Sequence, residues 1–169
     1  MSIKIEREDF TLNQVRFVNG ATLEVSFQGK TETENGKSIR QFAVKCEDPI
    51  HGDLLELIDG LKEPIAFSAN VSYGTKKGAK EKVHEKIKVT SINFYHLDEG
   101  YRVKITGGFG SALGYAGLTT QPIGFTDNKF GFEEELQKTL DSLIDEVYQY
   151  LIENKSAQHS MSFDSKEAA

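Results

Sequence analysis

The densest run of chemistry-bearing side chains in this sequence is basic. Lys76, Lys77, Lys80, Lys82, Lys86 and Lys88 are answered locally only by Glu81 and Glu85, a local +4 in a chain of formal net charge −6. Ammonium groups at this density neutralise phosphates without reading base sequence. Tyr73, Phe94, Tyr95 and Tyr101 flank the run and offer rings on which unpaired bases stack. The lysines, with Tyr73 and Tyr95, therefore read as a single-strand-binding site. The plain alternative is a solvated hairpin tip with core aromatics beneath it.

No comparable grouping points to catalysis. His51, His84, His96 and His159 are scattered, with no two at metal-ligand spacing on one helix face. Cys46 is the single cysteine, which excludes an internal disulfide and a multi-cysteine zinc site. It carries no neighbouring signature of a nucleophile and reads as a small buried strand residue. The segment 107–117 holds five glycines but lacks the Gly-Lys-Ser/Thr ending and the following helix of a phosphate-cradling loop. It reads instead as a long surface loop or a close backbone crossing. The expectation is a protein that is not an enzyme and needs no metal or cofactor.

The tail adds a different chemistry. Gln158-His159-Ser160-Met161-Ser162-Phe163 supplies one amide anchor and two apolar side chains at the spacing of an extended docking peptide. The pattern Gln-x-x-(Leu/Met)-x-Phe resembles the hexapeptide by which bacterial proteins dock on the replicative sliding clamp, with Gln158, Met161 and Phe163 as its anchors. Met161 stands where leucine is commoner, and a stray apolar tail is the competing explanation. Together with Asp145-Glu146-Val147-Tyr148-Gln149-Tyr150-Leu151 and 157–164, the chain also resembles small uncharacterised proteins of bacteriophage replication regions. That resemblance covers less than a fifth of the chain. It implies a role beside phage DNA replication or recombination, without a defined activity.

These side chains need elements to position them. From Phe132 to Ile152, Phe132, Leu136, Leu140, Leu143, Ile144, Val147 and Leu151 form one apolar stripe, the spacing of an amphipathic helix. Glu133, Glu134 and Glu135 occupy its first turn, where the helix dipole favours negative charge. Two Asn-Gly pairs, Asn19-Gly20 and Asn35-Gly36, separate alternating runs and predict two hairpins linking three antiparallel strands. A short helix follows over Asp53–Leu61, then a strand from Ile65 to Tyr73 on period-two alternation. Gly74–His84 reads as a loop. The phase of alternation changes between Val89 and Ile92, which predicts a bulge near Thr90-Ser91. Tyr101–Ile105 is a return strand, and Leu118–Phe125 an edge strand consistent with Pro122. No internal repeat is evident.

The expected fold is α+β: a β-rich antiparallel sheet, or a small OB-like barrel, packed against a long C-terminal amphipathic helix. Residues 1–155 form one domain and 156–169 a flexible tail. The N-terminus is too polar for a signal peptide, and no window reaches the ~18 apolar residues of a membrane span. The expected location is the cytoplasm, the host's if the protein is phage-encoded. The expected function is a non-enzymatic phage-like accessory protein of DNA replication or recombination. It would dock on a sliding clamp by its tail and touch single-stranded DNA. The rival is a host-directed inhibitor or structural phage protein acting by protein–protein interaction.

Overall fold

Alternation of apolar and polar residues gives each strand one face for a core and one for solvent. The computed structural model describes residues 5–18 and 22–153. It contains β1 (Phe10–Val18), β2 (Thr22–Thr33), β3 (Gly36–Lys45), α1 (Gly52–Asp59), α2 (Lys62–Ser68), α3 (Ala79–His84), β4 (Ile87–His96), β5 (Tyr101–Ser111), β6 (Gly114–Thr119) and α4 (Glu133–Ile152). The strands form one sheet in the order β3-β2-β1-β4-β5-β6, and every pairing is antiparallel. The fold is α+β. The sheet is open, with β3 and β6 as its edges, so the barrel alternative does not hold.

Two meanders of three strands meet where β1 pairs with β4, with Val15 opposite Ile92. Each meander's first strand carries a bulge, between Leu12 and Gln14 in β1 and between Val89 and Ser91 in β4. The second is the bulge expected from the phase change, and Thr90 Oγ1 pins it by donating to the Thr106 carbonyl at 3.1 Å. Either side of the two bulges, Leu12, Val15 and Phe17 match Val89, Ile92 and Phe94, all buried. The chain thus repeats an architecture that its sequence does not.

Inward side chains of the sheet, among them Val15, Leu23, Val25, Ile92, Val103 and Ile105, share one core with the helices. Leu136, Leu140, Leu143, Ile144, Val147 and Tyr150 of α4 enter that core. Tyr101 of β5 donates to Asp141 Oδ1 of α4 at 2.6 Å, and Tyr148 donates to the Ile5 carbonyl at 2.8 Å. Glu133, which the sequence places in the first turn of the helix, is buried. Its carboxylate accepts the amides of Phe130 at 2.7 Å and Phe132 at 3.1 Å. Burial pushes its carboxyl up, but the backbone amides outweigh that and hold it below the usual range.

Three local expectations are corrected. Ile65 to Tyr73 is not a strand: α2 spans Lys62–Ser68. Pro64 lies in its first turn, where no intrahelical amide bond is lost. Burial falls on Leu61, Ile65 and Ala66 while Phe67 is exposed, so helical spacing prevails over apparent alternation. Gly74–His84 is not all loop, because α3 forms Ala79–His84. The glycine-rich 107–117 is not a surface loop but the β5–β6 hairpin. Its close-approach aspect is real: a Cβ on Gly107 would lie 2.2 Å from the Lys88 carbonyl oxygen. The final edge strand is therefore β6, and Ile123 adds a single antiparallel bridge to Val103. The Asn19-Gly20 turn lies outside the described residues, although β1 and β2 pair on either side of it.

Candidate nucleic-acid interface

The lysine run does not form one patch. Lys76 and Lys77 lie in the turns before α3, Lys82 on α3, and Lys86 just after it, all exposed. Lys80 is committed elsewhere, with Nζ 2.8 Å from Glu63 Oε2 and 5.6 Å from the centre of the Tyr73 ring. The Tyr73 hydroxyl is 2.9 Å from His84 Nε2, which lies 3.6 Å from Glu63 Oε2. Burial is the main cause that raises the Tyr73 hydroxyl pKa and lowers that of the His84 imidazole. This cluster fastens α3 to α2, so Tyr73 is no stacking platform. The cleft beside it, about 590 Å³, is lined by Asp59, Glu63, Glu81, Glu85 and Glu135 against Lys62 and Lys80. Such a balance repels phosphate.

Lys88 and Tyr95 are elsewhere, on the outward face of β4. The sheet brings them beside residues that the lysine count overlooked. Arg16 of β1, and Arg102 and Lys104 of β5, point out on the same side, opposite the buried Val15, Val103 and Ile105. Lys104 Nζ lies 5.8 Å from the centre of the Tyr95 ring, and Tyr95 is 46 % exposed. Tyr115 of β6 joins them, 55 % exposed, its hydroxyl 3.4 Å from the Lys88 carbonyl. Gln14 donates to Asn93 at 2.7 Å across the β1–β4 seam, and Thr106 and Thr119 hydroxyls lie 3.1 Å apart. The face is polar, hydrogen-bonded and basic.

Its charge is one-sided. The four adjacent strands β1, β4, β5 and β6 contain no Asp or Glu. The nearest strand carboxylate, Glu24 of β2, bonds to Arg16 at 3.2 Å. Among the described residues no carboxylate forms an ion pair with Lys88, Arg102 or Lys104. The acids concentrate on the helical side, six of them in α4 alone. This segregation was available in the sequence as a lack of acids from four strands. A search for dense lysine runs misses it, because strands on one face place bases side by side from distant positions.

The described histidines have structural partners. His51 Nδ1 accepts the Asp53 amide at 3.2 Å and caps α1, and His96 Nε2 meets the Leu12 carbonyl at 2.6 Å. Cys46 follows β3, half-buried, and burial pushes its thiol up to about 11. Among the described residues no three His, Cys, Asp or Glu are grouped to hold a metal ion. No helix among them is long and apolar enough to cross a membrane. Gln158, Met161 and Phe163, and the proposed domain boundary after residue 155, lie outside the described residues. Set against family models, curated proteins and solved structures, the chain matches none.

Proposed function

We propose that this protein is a non-enzymatic, phage-like accessory protein of DNA replication or recombination that holds single-stranded DNA on the outward face of its sheet. The observation that carries the reading is the acid-free block β1-β4-β5-β6, with Arg16, Lys88, Arg102, Lys104 and exposed tyrosines facing one way. In a chain of net charge −6, that segregation suits a polyanion bound on one side only. Open aromatic rings among bases favour an unpaired strand, since a duplex hides its base faces. Gln158, Met161 and Phe163 supply the second half of the proposal, docking on a sliding clamp, and rest on the peptide pattern alone.

The test is binding of a labelled oligothymidylate and its duplex at several salt concentrations. Binding of the single strand that weakens steeply with salt is expected. Equal affinity for duplex, or no binding at low salt, would remove the reading. Clamp capture that is lost when Met161 and Phe163 are both changed to Ala tests the tail.

One observation favours the rival protein-binding role. Phe67 and Phe130 are exposed, with ring centres 4.9 Å apart, and Phe132 lies within 5.6 Å of Phe67. They border a cavity of about 370 Å³ with Pro64, Pro122 and Ile123. A small aromatic patch of this kind suits an apolar protein partner.

A further inference from the structure

Tyr115 is unusual among the exposed aromatics, because the sheet beneath it has been cleared to receive it. It stands opposite Gly110 in the β5–β6 pairing, and its ring lies over Gly108. A Cβ on Gly108 would come within 2.2 Å of Tyr115 Cζ and 2.4 Å of its hydroxyl oxygen. Glycine here provides a flat floor on which the ring rests. The hydroxyl reaches across to the Lys88 carbonyl at 3.4 Å and fixes the far end. One ring face is against backbone and the other is open, which is the arrangement a base needs for stacking. A ring already held in place loses little freedom when a ligand arrives.

Its place relative to Tyr95 follows from the register. Gly108 pairs with Lys88, whereas Tyr95 lies further along β4 and pairs with Arg102. Allowing for the bulge between Val89 and Ser91, the two levels are about 20 Å apart at the usual rise per strand residue. Between them the outward face presents Ser91 and Thr106, paired in register, and Lys104 beside Tyr95. Basic groups stand at both levels, Lys88 at one and Arg102 at the other.

We infer that Tyr95 and the glycine-seated Tyr115 are two base-stacking platforms that together hold an unpaired strand running along β4 and β5. At about 3.4 Å per stacked nucleotide, the span corresponds to a footprint of about six nucleotides. This rests on the reading of the outward face as a single-strand surface. It adds the two anchoring residues, the direction of the strand and the minimum length. Charge complementarity selects the occupant, because the block between the platforms holds bases and no carboxylate.

The test uses the full chain and labelled oligothymidylates from about three to about twelve nucleotides, read by fluorescence anisotropy at low salt. Affinity should step up on reaching about six nucleotides and level off per site beyond it. Tyr115→Ala should weaken binding of the longer oligonucleotides by on the order of tenfold and abolish the step. It should lower the weak binding of three-nucleotide strands only about twofold, because Tyr95 remains as a platform. Tyr115→Phe should retain stacking, and Gly108→Ala, which displaces the ring without removing it, should act like Tyr115→Ala. Circular dichroism melts separate loss of binding from loss of fold, and Tyr115→Leu serves if the alanine variant is unstable. Failure of the parent to bind any oligonucleotide overturns the single-strand reading itself. Binding by the parent that ignores Tyr115→Ala and Gly108→Ala, yet falls with Tyr95→Ala, overturns only the two-platform inference.

Discussion

Val15 and Ile92 face each other at the seam of the sheet, each in a strand bulged at the corresponding point, and each fully buried. From that seam two meanders run outward on the same backbone plan, yet they treat charge differently. In the first, three bases are tied to carboxylates: Arg16 to Glu24 at 3.2 Å, and Lys37 and Lys30 to Asp9 at 3.0 and 3.8 Å. In the second, Lys88, Arg102 and Lys104 face out with no carboxylate on their strands. The edges differ too. β3 is long and exposes Ile39, guarded by Lys37, Arg40 and Lys45, as edge strands commonly are. β6 is short and glycine-rich and carries Tyr115. Inward positions are dictated by packing in both halves. The difference can therefore be written only in the outward positions and in where glycine replaces a side chain.

Cutting the seam should give the largest effect. Ile92→Ala removes a fully buried side chain and should cost about 2–5 kcal/mol in urea unfolding. A loss below about 1 kcal/mol would mean that the halves do not share a core there. Next come two glycines that face inward, one in each half. Gly107→Ala would place a methyl 2.2 Å from the Lys88 carbonyl oxygen, whereas Gly29→Ala would meet the Ile5 Cδ1 atom at 2.5 Å. Backbone cannot step aside and the end of a side chain can, so the first should cost about 1–3 kcal/mol and the second less. Equal losses would erase the contrast.

Glu133 seats the helix that serves both halves, and Glu133→Gln should destabilise by about 1–2 kcal/mol at neutral pH. Its folded carboxyl titrates below the ordinary value of 4.5. The contribution is therefore present above that value and lost as pH falls through the folded pKa. The gap between parent and variant should close in acid, and a gap that stays constant from neutral pH to strong acid would contradict the capping role. The smallest stability effects should separate the two charge patterns. Arg16→Gln breaks an exposed pair and should cost under about 1 kcal/mol, while Lys104→Gln should fall within about 0.5 kcal/mol of the parent. Changing Lys88, Arg102 and Lys104 together to Gln should reduce the salt slope of single-strand binding by about 2. Changing Lys76 and Lys77 should reduce it less.

Much of the strand register was legible. Alternation around Leu23, Val25 and Phe27, and around Val103 and Ile105, marks the buried face directly, and the phase slip at Thr90 marks a bulge. The α2 segment was not legible, because Ile65, Phe67 and Val71 satisfy a period of two while Leu61, Ile65 and Ala66 satisfy a helical one. Only the neighbours against which Ile65 and Ala66 pack decide between them. The glycines of 107–117 misled for a related reason. Glycine marks both loops and places where another group approaches closely, and the approaching groups, Lys88 and Tyr115, lie on other strands. The candidate site was half legible: Lys88 and Tyr95 belong to it, but Tyr73 and Lys80 serve Glu63 and His84.

By itself the sequence determined the sign and placement of charge along the chain, the period of its strands and the scattering of its histidines, because these depend on residue type and local spacing. It also determined the tail pattern Gln158, Met161, Phe163. Only the tertiary structure decided which bases share a surface. Arg16, Lys88 and Lys104 are far apart in sequence and come together because β1, β4 and β5 are neighbours in the sheet. The same neighbourhood decided that Tyr115 lies on Gly108 and that Lys80 turns to Glu63. A side chain's partners are set by strand order and helix placement, which arise from burying one core, and no local pattern encodes them.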